Sequence, residues 1–149
     1  IALGIKIKEF LVDRSLINDR FFIKIKPKSL EDYIPTIDEY NLIIGNLAGD
    51  AITSADSNVF LGHQAGAVTT TGGYNTFIGG SHASYVGAAN TEGSFNTFIG
   101  ADSGRSNVTG TLKTILGAKA NTNGNSDSHE IVIGYNVTGG GQNKIRIEV

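Results

Sequence analysis

The residues able to do chemistry are few and scattered. His63, His82 and His129 share no His-x-x-x-His or similar spacing that would hold a metal within one chain. His63 and His82 both follow similar pentads, so three-fold symmetry could gather copies into a ring for a metal or anion; exposed polar fillers are the simpler reading. Asp50, Asp56, Glu92 and Asp102 could meet across chains as a glycosidase-like carboxylate pair, but chance proximity explains four acids in such a stretch better. No serine lies in a Gly-x-Ser-x-Gly elbow. The absence of cysteine excludes a thiol nucleophile, a disulfide scaffold and a Cys-ligated zinc. Gly139-Gly-Gly141 is followed by no Gly-Lys-Ser/Thr and is no phosphate loop; it reads as a hinge. The expectation is a chain without catalytic, cofactor or metal residues, whose chemistry is surface contact. The contact candidates are His82, Ser84, Tyr85 and Asn90. Tyr85 suits stacking on a sugar ring or, equally, covering the end of a roll.

The elements that must position such contacts divide near residue 40. Residues 1–40 hold 14 of the 26 charged residues, both prolines and one of 20 glycines. Ile1-Ala-Leu-Gly-Ile-Lys-Ile-Lys8 and Arg20-Phe-Phe-Ile-Lys-Ile-Lys26 alternate apolar and polar, which predicts two strands of a β-hairpin arm. Pro27 ends the second, and Ser29–Asp32 suits a short helical turn. The arm's lysines read as a solvated, aggregation-resistant face. The net charge of −2 gives no argument for nucleic acid, and no apolar run can span a bilayer. The chain begins without Met and carries no signal-peptide pattern, so a processed product or part of a longer chain is expected.

From residue 41 a repeat takes over. Asn41-Leu-Ile-Ile-Gly45, Asn58-Val-Phe-Leu-Gly62, Asn75-Thr-Phe-Ile-Gly79, Asn96-Thr-Phe-Ile-Gly100, Lys113-Thr-Ile-Leu-Gly117 and Glu130-Ile-Val-Ile-Gly134 share one pattern. Their glycines are 17, 17, 21, 17 and 17 residues apart. Such a period predicts a stacked solenoid, with a four-residue insertion between Gly80 and Gly93. Each pentad is a strand ended by glycine. A second bend four residues on falls at Gly49, Gly66, Ala83, Gly104, Asn121 and Thr138. A polar stretch then supplies a thinner second strand. The fold class is thus an all-β roll or β-helix of about six coils over 41–138, followed by residues 139–149 as hinge and terminal strand.

The pentads are apolar on both faces. Ile44, Leu61, Ile78, Ile99, Leu116 and Ile133 line one, joined by Leu42, Val59, Thr76, Thr97, Thr114 and Ile131. Ile43, Phe60, Phe77, Phe98, Ile115 and Val132 line the other. A strand apolar on both sides is buried on both, whereas one thin coil has a single inside. The larger column is therefore expected on the axis of a parallel homotrimer, the alternative being cover by the N-terminal arm. The asparagines Asn41, Asn58, Asn75 and Asn96 read either as a stacked amide ladder or as local turn bonds. Lys113 and Glu130 replace them in adjacent coils and could pair weakly.

Gly73-Tyr-Asn-Thr-Phe-Ile-Gly79 and Gly93-Ser-Phe-Asn-Thr-Phe-Ile-Gly100 resemble the Gly-x-x-Asn-Thr-x-x-Gly repeats of trimeric phage tail fibres and related bacterial fibre proteins. More loosely they are similar to the β-roll heads of trimeric autotransporter adhesins, from which the period of 17 and the central Phe depart. The resemblance covers about residues 41–138. It implies a trimeric attachment fibre on a virion, joined through residues 1–40 to other particle proteins and presenting a surface to a host glycan or protein. A bacterial cell-surface adhesin, a polysaccharide-degrading tailspike and a purely architectural spacer are the rivals.

Overall fold

The computed structural model describes residues 23–25, 40–80 and 85–148. The predicted strand Ile1–Lys8, the turn at Ser29–Asp32, and the contact candidates His82 and Ser84 lie outside them.

Every pentad core is a three-residue strand. After β1 (Ile23–Ile25) come β2 (Leu42–Ile44), β3 (Val59–Leu61), β4 (Thr76–Ile78), β5 (Thr97–Ile99), β6 (Thr114–Leu116), β7 (Ile131–Ile133) and β8 (Ile145–Ile147). They form one sheet in chain order. β2 to β8 are parallel and in strict register, so like residues stack; β1 closes the first edge antiparallel to β2. Six turns of a β-solenoid result, rising roughly 29 Å at a strand spacing of about 4.8 Å.

Among the described residues the expected second strand per coil is not formed. The other described residues of the turns lie in bends, tight turns and irregular backbone, with one isolated bridge between Asn121 and Thr138. The backbone there still pairs with the next coil, through Gly49 N–H to Ala65 O, Gly87 N–H to Ser103 O and Gly104 N–H to Ala120 O at 2.9–3.0 Å. Glycine-rich polar turns thus meet their backbone hydrogen bonds without extended geometry. Gly66 N–H donates to Val86 O, which makes Gly87, not Ala83, the second-bend residue of the third coil. The four extra residues therefore lie between Gly79 and Val86.

The core reverses the expected inside and outside. Ile43, Phe60, Phe77, Phe98, Ile115 and Val132 are sealed inside their own chain, all at 3% exposure or less. Phe77 stacks between Phe60 and Phe98 at centroid distances of 5.1 and 4.8 Å. Ala48, Ala65, Val86, Ala120 and Val137 face them from the opposite wall. A trimer axis along the phenylalanine column is thus corrected: the column fills the solenoid. The reason is room. A Cβ on Gly66, Gly87 or Gly104 would meet the ring of Phe60, Phe77 or Phe98, so each coil omits a side chain where its ring lies. Asn121 and Thr138 take that position in the coils whose central residues are the smaller Ile115 and Val132.

In register, the core column is continued by a basic residue at each end. Register sets Lys24 opposite Ile43 at one end and Arg146 opposite Val132 at the other. Arg146 is exposed and pairs with Glu148.

Because the column is core and not interface, Phe77→Leu should lower stability by about 1–2 kcal/mol through lost ring packing. Light scattering should give the wild-type particle mass. Dissociation without loss of stability would return the column to an interface.

Candidate functional site

The strand face turned to solvent is the one expected inside. Leu42, Leu61 and Leu116 are over two-fifths exposed, Ile145 and Ile147 more so, and Ile44, Ile78, Ile99 and Ile133 half-buried. Thr76, Thr97 and Thr114 interrupt the second outward column. Seven short strands thus present an uncharged, largely aliphatic plane, and soluble monomers rarely leave contiguous apolar patches beyond a few hundred Å² exposed.

One side of this plane is bordered by a strained corner. The residues before the pentads, Tyr40, Ser57, Tyr74, Phe95, Leu112 and His129, all have φ between 57° and 59°. Their N–H groups explain the geometry: those of Tyr74, Phe95, Leu112 and His129 each donate to a carbonyl of the preceding coil at 2.9–3.2 Å. Left-handed backbone in bulky residues costs on the order of 1 kcal/mol each. Tyr74 and Phe95 offset part of it by stacking at 4.7 Å, nearly parallel. Tyr40, Tyr74, Phe95 and Leu112 are all about half exposed or more.

Inside, the asparagine column is a ladder from side chain to backbone, which neither expected reading described. Oδ1 of Asn41, Asn58, Asn75 and Asn96 accepts the N–H of the next coil's equivalent residue at 2.9–3.1 Å. The Nδ2 groups donate to Ala55, Gly72, Gly93 and Gly110 carbonyls at 2.7–3.1 Å. Each side chain therefore joins two coils and spans its own.

The ladder ends in a buried ion pair. Lys113 Nζ lies 3.6 Å from Glu130 Oε2, both side chains fully enclosed, so the weak surface pair expected from sequence is corrected. Lys113 also donates to Gly124 O at 3.2 Å, and Glu130 Oε1 accepts Gly141 N–H at 2.8 Å. Burial pushes the Lys113 amine below its ordinary range, against the upward pull of the Glu130 and Asp127 carboxylates. Gly139 and Gly141 are buried against this carboxylate, so the glycine run expected as a hinge is packed.

Of the predicted contact residues, Tyr85 is half-buried. Asn90 is wholly buried, donating to Gly93 O and accepting from Asn107 Nδ2 at 2.6 Å, so it is corrected from receptor contact to internal strut. Asp102 is buried while Asp50 and Glu92 are exposed, as are His63 and His129. Among the described residues no three His, Asp or Glu side chains converge on a metal-sized site, and no helix is long and apolar enough to cross a membrane. The exposed plane was legible in the threonines of its second column, since a buried column would not carry three hydroxyls without partners. No family model, curated protein or solved structure matches the chain.

Proposed function

We propose that the chain is a non-enzymatic structural segment of an attachment fibre on a phage or phage-like particle. It forms a parallel homotrimer whose axis is lined by the outward plane of the sheet. One observation carries this reading: an in-register aliphatic face, Leu42 to Ile147, left open on a solenoid whose own core is already complete. A second copy carries the same ladder at the same spacing, so its side chains mesh along the whole rod. Residues 1–40 join the segment to other particle proteins. The rod holds three copies of a weak site toward a host glycan or protein, and multiplicity supplies the avidity. The same rod on a bacterial surface would serve as an adhesin.

A purely architectural spacer gains support from Asn90, which is enclosed and out of a receptor's reach. Light scattering and binding separate the readings. The wild type should run as a trimer, and Leu61→Asp with Leu116→Asp should run as a folded monomer, each change costing the isolated coil about 0.5 kcal/mol or less. A wild-type monomer would overturn the assembly. An intact trimer that ignores host cells and their glycans would leave the spacer.

A further inference from the structure

The asparagine ladder ends where an amine replaces an amide, and the stem of that amine flanks the same glycine, Gly110, as the Asn107 amide. Seven residues after the closing glycine, or eleven in the coil that carries the insertion, the interior column holds Thr69, Asn90 and Asn107, then Gly124. Gly124 has no side chain, and Lys113 reaches across to its carbonyl at 3.2 Å. A Cβ on Gly124 would meet the Asp127 carboxylate at 2.6 Å, so in the fifth coil Lys113 and Asp127 take over the region that the asparagine column fills in the coils before it.

Asn107 Nδ2 donates to Asn90 Oδ1 at 2.6 Å and to Gly110 O at 2.9 Å, while its Oδ1 accepts no hydrogen bond. A Cβ on Gly110 would meet Lys113 Cε at 2.7 Å and Asn107 Oδ1 closer still, so the two side chains flank one point. On the other side of the amine, Glu130 Oε2 lies at 3.6 Å and also accepts no hydrogen bond. Asn107, Lys113 and Glu130 are each at 1% exposure or less. Burial disfavours the charged amine, which raises its share of the nucleophilic form.

We propose that Lys113 and Asn107 become joined by a side-chain amide bond, with Glu130 carrying the proton. The ammonium gives a proton to the Glu130 carboxylate, and the free Nζ attacks Cγ of Asn107. A C–N bond forms to Nζ and the bond from Cγ to Nδ2 breaks. Glu130 returns the proton to the departing nitrogen, which leaves as ammonia and takes up the second proton released by Nζ. Nothing is oxidised or reduced, and no further reactant is needed. The product ties the segment after β5 to the residue immediately before β6.

The test is the mass of the purified full chain. It should fall short of the sequence mass by one ammonia. In a tryptic digest Lys113 should resist cleavage, with the deficit confined to Ser106–Lys119. Asn107→Ala and Glu130→Gln should each restore the full mass and cleavage at Lys113. The full mass in the wild type, with cleavage at Lys113, would overturn the bond. So would a deficit located at Asn123, where the following Gly124 favours a succinimide. A deficit that survives Glu130→Gln would remove the carboxylate from the reaction. Should Glu130→Gln not fold, the wild-type digest still decides.

Discussion

Gly100→Ala should unfold the solenoid well below the wild-type temperature. Gly100 closes β5 with φ +131°, and a Cβ there would stand 2.6 Å from the carbonyl carbon and oxygen of Gly117 in the next coil. Neither obstacle can move, because the Gly117 N–H is itself bonded to Ile99 O at 2.8 Å. Left-handed strain and a backbone clash together should cost more than about 4 kcal/mol, or roughly 10 °C in midpoint for a chain of this size. Gly140→Ala is the control: that glycine has no positive φ, and a Cβ would meet only the Lys144 side chain at 3.1 Å. It should change stability by less than about 1 kcal/mol. Circular dichroism melts of both variants give the comparison, and a Gly100→Ala melt matching the control would mean that the coils separate freely at this corner.

Lys113→Met should be nearly as damaging, and a second change should repair it. The methionine leaves the Glu130 carboxylate enclosed with only the Gly141 N–H for company, a loss of about 3–5 kcal/mol for a broken buried pair. Glu130→Asn strands the amine in the same way. The four earlier coils show what else fits: Asn96 Oδ1 already accepts the Lys113 N–H, so Lys113→Asn with Glu130→Asn extends the existing ladder by two rungs. The double variant should lie above either single one in denaturant melts, with a coupling of roughly 2 kcal/mol or more. Additive losses would show that the Glu130 carboxylate is held by its surroundings and not by Lys113.

The solenoid itself could be read from the pentads, because a glycine-closed strand at a 17-residue period has few ways to stack. The terminal strand at Ile145–Ile147 and the strand at Ile23–Ile25 were legible from alternation alone. Which face points inward was not, when judged by size. Phe60, Phe77 and Phe98 looked too large for a thin coil, yet Gly66, Gly87 and Gly104 remove the side chains that would collide with them. Parity carried the answer: Asn58 and Phe60 share one face, and the asparagine needed partners that only an interior provides. The insertion was placed by its length but not its position, since Ala83 and Gly87 both suit a bend and only the hydrogen bond from Gly66 to Val86 separates them. Asn90 looked like a surface polar residue for the same reason.

A run of like coils has no inherent stopping point, since every new turn is welcomed by the last as warmly as the first. Here the count is written outside the repeat. Lys24 and Arg146 stand in the register where another Ile or Phe would continue the stack, and Arg146 turns an exposed, paired charge to solvent there. A coil added beyond β8 would therefore have to stack on an exposed, paired Arg146 and not on another apolar rung.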